Sequence, residues 1–386
     1  MSWTFLCQAN SSTLRLYMRI GIDVRITYYT RGGISNYALR LLPALAALDA
    51  ETDYCVLHSR KDQRPPLPGP NFRPVACWTP AHHRWERWAF GIEGARLGLD
   101  LLHSPDFIPP AFGYRRSVIT VHDLNFLYYP QFLTTESRRY YNDQIAWAVG
   151  RTDHILADSH ATKADLVSML GVEPDKVTVV HLASDPSYRP LPEEEAGEVI
   201  VKYDLEPGYL LFVGTLEPRK NLPGLLQAYR LLRDEGAASV PLVLVGGKGW
   251  LYDEIFERVE ALHLAEHVRF LHDVSNADLP GLYSAAGVLT TPSFYEGFGL
   301  PALEAMAFGT PVVVSDRASL PEVVGGAGLL VNPDDPEDIA RALDRALNDG
   351  TLRVQMRERG LEQAARFTWE KAARETLAVY QKVLAR

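Results

Sequence analysis

Two acidic residues, Glu296 and Glu304, lie close together in the stretch SFYEGFGLPALEA, residues 293–305. The segment between them is uncharged and contains two glycines and Pro301. Because proline suits the first turn of a helix, we expect a helix to begin at residue 300 or 301. Its exposed N-terminal amides would favour an anion such as a phosphate.

Two kinds of chemistry use a pair of carboxylates in this way. In a glycosidase the pair would act as acid and base, but eight residues of helix separate two groups by about 12 Å, more than inverting enzymes usually need. Alternatively, each carboxylate accepts hydrogen bonds from the hydroxyl groups of a different sugar. A diphosphate between the two sugars would then meet the helix amides. The ordered set of glutamates, glycines and proline favours this nucleotide-sugar interpretation over solvated or helix-capping acids.

Alternating strands and helices must position this segment. Buried strands are indicated in the first half by RIGIDV, DLLHS, SVITVHD, HILAD and VTVVHLA, and in the second half by YLLFVG, PLVLVGG, VRFLHD, GVLTT, PVVVS and GLLV. Helical patterns mark ISNYALRLLPALAAL, residues 134–149, SHATKADLVSML, and segments at 221–234, 250–262, near 276–285 and from about 301. The alternation predicts parallel sheets with helices on both faces, and such sheets bind ligands beyond the carboxyl ends of their strands.

The 386 residues exceed one ordinary core, so the predicted fold is α/β with two doubly wound domains in tandem. We assign residues 18–190 to the N-terminal domain and residues 209–367 to the C-terminal domain. Residues 191–208, rich in proline, glycine and charge, are interpreted as a linker. The last helix, 368–386, is expected to pack back on the first domain. Residues 1–17 are interpreted as a disordered extension, or as sequence upstream of a true start at Met18.

Composition excludes several classes of protein. A net charge of −9 argues against a general nucleic-acid-binding surface, and no apolar run approaches the length that crosses a bilayer. The three cysteines, Cys7, Cys55 and Cys77, form neither a disulfide framework nor a metal-binding pattern. We therefore expect a cytoplasmic enzyme.

The chain is similar to one enzyme family over nearly its whole length from residue 18. SFYEGFGLPALEAMAFGTPVVVS resembles the paired-glutamate segment of the retaining glycosyltransferases of family four, also called group 1. Further similar pieces are GGISNYALRLLPAL, ITVHDLNFLYYPQF, ADSHATKADLV, FVGTLEPRKNLPGLLQAY, GLLVNPDDPEDIARAL and FTWEKAA. The resemblance implies a GT-B fold, in which two Rossmann-like domains face each other across a cleft. The first would hold the acceptor and the second the nucleotide sugar.

The resemblance also implies roles for the residues of the paired-glutamate segment. Glu296 would contact the hydroxyls of the donor sugar, and Glu304 would contact the ribose. The backbone amides of Phe298, Gly299 and Leu300 would meet the sugar and the phosphates.

The family binds the donor diphosphate with an arginine and a lysine after the first strand of the second domain. In this chain VGTLEPRKN supplies Lys220 at the lysine position, Thr215 stands at the arginine position, and Arg219 is the candidate replacement for the missing charge. Fixed cations there would stabilise the charge that develops on the diphosphate as the glycosyl bond breaks. Metal-dependent glycosyltransferases carry an Asp-x-Asp triplet, which this chain lacks, so we expect no metal and no other cofactor.

Other loops at strand ends contribute further candidates. His122 ends SVITVHD, where the family places a histidine against the donor sugar near the reacting carbon. Gly32 and Gly33 follow the first strand, in a loop that the family uses to approach the phosphates and the acceptor. Val274, in the stretch 272–274, is expected to help recognise the base.

The predicted function is transfer of a hexose from a nucleotide sugar to a glycan or lipid-linked glycan. HDLNFLYYPQF is similar to bacterial mannosyltransferases of polysaccharide assembly, which implies GDP-mannose as the donor, with UDP-glucose as the alternative. The predicted catalytic residues are His122, Lys220 and Glu296, and a front-face, retaining route needs no enzyme nucleophile. A nucleotide-sugar epimerase of the same architecture and a catalytically silent binding module are the competing classes.

The segment 77–98, CWTPAHHRWERWAFGIEGARLG, mixes tryptophans with arginines. The preferred interpretation is an amphipathic helix whose aromatic side chains fill the core of the first domain. The alternative is an interfacial helix in peripheral contact with the inner face of a membrane that carries a lipid-linked acceptor.

Overall fold

A computed structural model of the protein describes residues 18–29, 32–83, 85–132, 135–237, 239–247 and 253–386. Predictions for residues 1–17, and for helix ends at 134 and 250–252, lie outside this part of the chain. Within the described residues, the strands form two parallel sheets accompanied by helices. The predicted α/β class with two doubly wound domains is confirmed.

In the described part of the first domain, seven strands build one sheet: β1 (Arg19–Asp23), β2 (Asp53–Ser59), β3 (Phe72–Cys77), β4 (Leu99–Ser104), β5 (Tyr114–Val121), β6 (His154–Ala157) and β7 (Val177–Val179). They run parallel in the order β3-β2-β1-β4-β5-β6-β7. The strand order reverses between β1 and β4, and doubly wound sheets form their ligand crevice at such a point.

The helices of this domain are α1 (Gly33–Leu48), α2 (Glu86–Gly94), α3 (Asn125–Tyr128), α4 (Thr135–Arg151) and α5 (His160–Leu170). Short 3-10 turns occupy Arg25–Tyr28, Pro130–Phe132 and Pro174–Lys176. Ser159 caps α5, since its hydroxyl accepts a hydrogen bond from the amide of Thr162.

The tryptophans of segment 77–98 do not fill the core. Trp78, Trp85 and Trp88 are 70%, 58% and 56% exposed, whereas Phe90 is buried. The preferred interpretation is therefore wrong for these three side chains. The reason is that α2 turns Glu86 and Phe90 inward and leaves Trp88 on its outer surface, whereas Trp85 and Trp78 precede the helix.

The segment 191–208, interpreted as a linker, contains a helix, α6 (Glu193–Val201). Its first turn holds three glutamates, whose charges complement the helix dipole. Ala196 and Ile200 are buried, so α6 packs on the protein instead of spanning solvent. The charged, proline-flanked sequence that suggested a linker is the N-terminus of this helix.

In the described part of the second domain, six parallel strands form the other sheet: β8 (Leu210–Val213), β9 (Leu242–Val245), β10 (Val268–Leu271), β11 (Val288–Thr291), β12 (Val312–Ser315) and β13 (Leu329–Val331). Their order is β10-β9-β8-β11-β12-β13. The helices are α7 (Leu222–Asp234), α8 (Asp253–Ala261), α9 (Leu279–Ala285), α10 (Leu300–Ala307), α11 (Leu320–Val324), α12 (Pro336–Asn348) and α13 (Gly350–Ala364). Turns of 3-10 type lie at Pro218–Lys220 and Gly325–Ala327.

The C-terminal helix, α14 (Trp369–Leu384), lies against the first domain. It packs along α1, and the hydroxyl of Tyr380 lies 2.6 Å from Nδ1 of His103 on β4. The indole of Trp369 donates a hydrogen bond of 3.1 Å to the carbonyl of Ser184. The chain thus returns from the second domain to the first.

Candidate active site

A cleft of about 490 Å³ separates the strand-end loops of the two domains. From the first domain it is lined by Gly33, Asp106, His122 and Asp158. From the second domain it is lined by Thr215, Arg219, Lys220, Glu296, Phe298, Gly299 and Leu300. Most of the predicted donor-site residues therefore lie together in one cleft.

The loop after β11 carries Glu296 and leads into α10. This helix begins at Leu300, as predicted, with Pro301 in its first turn. Gly299 adopts a φ of 98°, a region that favours glycine, and an added Cβ would lie 2.6 Å from Leu320. Within the described residues no side chain caps α10; Pro301 has no N–H and the amides of Ala302 and Leu303 donate to the carbonyl of Gly299, so in this turn the amide of Leu300 is the one suited to an anion in the cleft.

Glu296 is the centre of a buried ion cluster. Its carboxylate lies 2.5 Å from Nζ of Lys220 and 3.0 Å from a guanidinium nitrogen of Arg219. The hydroxyl of Ser293 donates a further hydrogen bond of 2.7 Å. Burial opposes ionisation, but the charges of Lys220 and Arg219 outweigh it and lower the pKa of Glu296 to about 2. Glu296 is therefore an anion at neutral pH.

A short turn after β8 positions both cations. Residues Pro218–Lys220 form a 3-10 turn, and Asn221, at a φ of 56°, caps α7 with its side chain. The amide group of Asn221 also donates to the carbonyl of Pro292 at 3.1 Å. The backbone amide of Phe294 donates to the carbonyl of Arg219 at 2.8 Å. These bonds join the loop after β8 to the loop after β11 and fix the ion cluster.

His122 follows β5, and both of its ring nitrogens bind protein groups. Nδ1 lies 2.6 Å from a carboxylate oxygen of Asp158, and Nε2 lies 2.9 Å from the carbonyl oxygen of Pro105. Burial opposes the positive charge, but the Asp158 carboxylate outweighs it and raises the pKa of His122 to about 9. His122 is therefore a fixed cation in the cleft wall that donates both N–H groups to the protein, and it is not a free base.

The two halves of the cleft touch at Gly297. An added Cβ at this position would lie 2.2 Å from the carbonyl oxygen of His122 and 2.7 Å from Cβ of Asp123. A side chain would therefore push the halves apart. Beside this contact, the hydroxyl of Tyr295 donates to Asp165 of α5 at 2.7 Å.

Comparisons with known proteins agree with this geometry. The family model "Glycosyl transferases group 1" matches residues 198–363, and "Glycosyltransferase Family 4" matches residues 31–188. O-antigen chain mannosyltransferase B of Escherichia coli is 38% identical over 282 residues, which cover 73% of this chain and 74% of that protein. The chain belongs to glycosyltransferase family 4.

Further comparisons place the glycosyltransferase among related enzymes. O-antigen chain mannosyltransferase RfbU of Salmonella typhimurium is 33% identical over 229 residues, which cover 59% of this chain and 60% of that protein. Sucrose-phosphate synthase from Thermosynechococcus elongatus matches with a TM-score of 0.75 at 23% identity, over 95% of this chain and 99% of that chain. The predicted GT-B fold and the hexosyltransferase class are confirmed.

Two predicted donor-site residues of the glycosyltransferase are not among those that line the cleft. Glu304 lies on α10, where its carboxylate accepts a hydrogen bond of 2.8 Å from the hydroxyl of Tyr283. Burial, partly offset by this hydrogen bond, raises the pKa of Glu304 to about 7. Val274 is half-buried and packs against the main hydrophobic core. Their assignments to the ribose and the base stay predictions.

Sequence reasoning missed the acidic residues of the first-domain wall. Asp158 follows β6 and Asp106 follows β4, and both line the cleft. Asp158 comes directly after a buried strand and Asp106 comes two residues after one, both at the sheet edge where ligands bind. That signal was available in HILAD and in the residues after DLLHS.

Proposed function

We propose that this glycosyltransferase transfers a mannosyl residue from GDP-mannose to a glycan or lipid-linked glycan, with retention and without a metal ion. The observation that carries the proposal is the cluster of Arg219, Lys220 and Glu296 beside the N-terminus of α10 in the interdomain cleft. The choice of a mannosyl donor is supported by the similarity to O-antigen chain mannosyltransferase B.

The ion cluster suits a diphosphate leaving group. When the bond between sugar and phosphate breaks, negative charge gathers on the diphosphate, and preorganised cations stabilise that charge in the transition state. Arg219 and Lys220 line the cleft together with Leu300, the first residue of α10, and supply two positive charges there. Glu296 holds both cations in place and offers carboxylate oxygens to the sugar hydroxyls. These groups stabilise the negative charge of the leaving diphosphate, as a magnesium ion does in metal-dependent enzymes.

The proposed reaction takes place on one face of the sugar ring. The acceptor oxygen bonds to the anomeric carbon while the bond from that carbon to the β-phosphate oxygen breaks, and the acceptor proton passes to the departing phosphate. Glu296 is held by two cations, and His122 donates both ring N–H groups to the protein, so neither acts as a nucleophile. The products are GDP and a mannoside of retained configuration.

Nucleotide release tests this proposal. Purified enzyme is incubated in EDTA with GDP-mannose or UDP-glucose, with and without octyl α-mannoside as the acceptor. We expect GDP release that the acceptor accelerates, and an α-linked product by NMR. Release of UDP from UDP-glucose, with no release of GDP from GDP-mannose, would show that UDP-glucose is the donor. A sugar altered without net transfer would indicate an epimerase, and no turnover of any donor would indicate a binding module.

We further propose that the outer face of α2 makes peripheral contact with the inner face of a membrane. Trp88 and Ile92 of α2 and Trp85 before it are exposed there, and Trp78, exposed earlier in the same segment, lies under the guanidinium of Arg60 at 3.8 Å. Aromatic side chains beside basic ones suit the headgroup region of an anionic bilayer. Among the described residues, no helix has both the length and the apolar character needed to span a membrane.

Flotation with vesicles that contain anionic lipid tests this contact. The double variant Trp85→Ser, Trp88→Ser is expected to float less than the wild type, while GDP release from GDP-mannose in solution stays unchanged. Val354→Ser, which alters an exposed apolar residue of the second domain, is the matched control. Equal flotation of wild type and double variant would exclude this face as the contact.

A further inference from the structure

A small polar hole adjoins the donor cleft in the first domain. It measures about 20 Å³ and is lined by Asp23, His82, Glu86, Ser104 and Asp106, among others. A space of this size holds one water molecule or one hydroxyl group. Asp106 lines both the hole and the cleft, so the two spaces meet at this residue.

Two residues that line this hole each carry a buried polar atom that has no partner within the described residues. These atoms are Oε2 of Glu86 and Oγ of Ser104. The two side chains are only 3% and 2% exposed, so bulk water does not satisfy them. Unpaired buried polar groups are costly and rare in native proteins, and a ligand that supplies the missing partner explains their retention.

The remaining charges of the cluster are satisfied. Arg25 donates to the two oxygens of Asp23 at 2.9 and 2.7 Å, to Oε1 of Glu86 at 2.5 Å and to the carbonyl of Thr79 at 2.9 Å. The guanidinium also stacks on the ring of Phe90 at 3.4 Å. These contacts fix the carboxylate of Glu86 and leave Oε2 as its unused acceptor.

The charges around the hole favour a neutral hydroxyl group over an ion. Three carboxyl groups, those of Asp23, Glu86 and Asp106, line the space and are paired with Arg25 and His82, so no charge is left over to attract an ion. Among the described residues, no group of three or more His, Cys, Asp or Glu side chains is arranged to hold a metal ion. A hydroxyl group can donate to Oε2 of Glu86 and accept from the hydroxyl of Ser104, which completes both bonds.

We infer that this hole is a subsite for one hydroxyl group of the acceptor sugar, bound by Glu86 and Ser104. The inference rests on the proposed glycosyl transfer, because the acceptor is the substrate held by the first domain. Asp23 and Ser104 end the adjacent strands β1 and β4, at the point where the strand order reverses. A site built to bind a hydroxyl rejects an analogue that lacks it, so this subsite selects the hydroxyl pattern of the acceptor.

Monodeoxy versions of octyl α-mannoside test the subsite in the intact enzyme. Linkage analysis of the wild-type product first identifies the reacting hydroxyl. Among the other positions, we expect one particular monodeoxy acceptor to have a KM at least about tenfold higher than that of octyl α-mannoside. Each of the remaining monodeoxy acceptors should show a smaller change in KM. The variant Ser104→Ala should raise the KM of the intact acceptor about tenfold and no longer discriminate against that one deoxy acceptor.

Two further variants complete the test. Glu86→Gln keeps the shape of the side chain and should change acceptor KM and discrimination in the same direction as Ser104→Ala, which covers the case that one variant does not fold. Ser117→Ala removes a buried serine hydroxyl on β5 that bonds Thr152, away from the hole, and should leave acceptor KM unchanged. Release of GDP from GDP-mannose without acceptor should match the wild type in all three.

The outcomes separate the subsite from the proposed function. Unchanged acceptor KM and discrimination in both Ser104→Ala and Glu86→Gln would overturn the subsite and leave the hole to a water molecule. If octyl α-mannoside does not accelerate GDP release, the subsite does not bind a hydroxyl group of a mannoside, and the inference is overturned. Absence of turnover of GDP-mannose by the wild type would contradict the proposed function itself.

Discussion

Nζ of Lys220 lies 2.5 Å from Oε1 of Glu296, although the two residues are 76 positions apart in the chain. The lysine stands in the loop after β8 and the glutamate in the loop after β11, and these two strands are neighbours in the sheet. The contact is therefore a consequence of strand order, and it holds a cation beside the N-terminus of α10.

Loss of this cation should impair the chemical step. Lys220→Ala is expected to lower kcat for GDP release by about 10²–10³-fold, because a fixed charge on the leaving diphosphate is removed. Circular dichroism should stay native. Lys202→Ala, which alters an exposed lysine paired with Asp278, is the control and should behave as wild type. Turnover of Lys220→Ala within a few-fold of wild type would refute the assignment.

Loss of the carboxylate should affect both activity and stability. Glu296→Gln leaves Lys220 and Arg219 buried without their shared counter-charge, so we expect a loss of about 3 kcal/mol in the free energy of unfolding and severely reduced turnover. Urea titration measures the first and GDP release the second. Glu337→Gln, at an exposed position on α12, is the matched control. An unchanged unfolding midpoint would show that the cluster is not a stabilising ion pair.

The ion pair of His122 with Asp158 should make stability depend on pH. The pKa of His122 is about 9 in the folded protein, and that of an unperturbed histidine is about 6.5. Since the folded state favours the protonated form, the stabilisation is fully present below about pH 6.5 and is lost as the pH rises through 9. The free energy of unfolding in urea should fall between these two pH values, and it should fall less in Asp158→Asn. A fall of the same size in Asp158→Asn would show that other groups cause the pH dependence.

A methyl group at position 297 should hold the cleft open. In Gly297→Ala the new Cβ would lie 2.2 Å from the carbonyl oxygen of His122, so the two domains must separate locally. We expect a lower kcat for transfer and a larger radius of gyration by X-ray scattering. Gly326→Ala adds a methyl group with no atom within 4 Å and serves as the control. Identical kinetics in the two variants would show that the contact at Gly297 does not matter for transfer.

Strands could be predicted from the sequence where they are apolar and buried. They could not be predicted where contacts with the rest of the fold, and not the local sequence pattern, determine that a strand forms. β1 and β4 to β13 follow from short apolar runs between helical patterns. β2 also contains a short apolar run, at 54–57, which was overlooked, whereas β3 does not follow from such a run. β3 contains Pro74 and lies at the edge of the sheet, where a missing N–H is tolerated, so its pattern does not resemble a central strand.

The donor side of the site was predictable because its residues follow strand ends or open a helix. Lys220, Glu296 and Gly299 are local signals of this kind. The pairing of His122 with Asp158 spans 36 positions, and that of Arg25 with Glu86 spans 61. Such pairs arise only when strands assemble, which is why the polar hole has no signature in the sequence.

Calorimetric titration of GDP in EDTA into wild type and Lys220→Ala tests whether protein groups alone, without a metal ion, hold the donor diphosphate. We expect that the wild type binds GDP without a divalent cation, that added magnesium leaves the affinity unchanged, and that Lys220→Ala binds at least about tenfold more weakly. Binding of GDP by the wild type only after magnesium is added, or equal affinity in Lys220→Ala, would contradict this expectation.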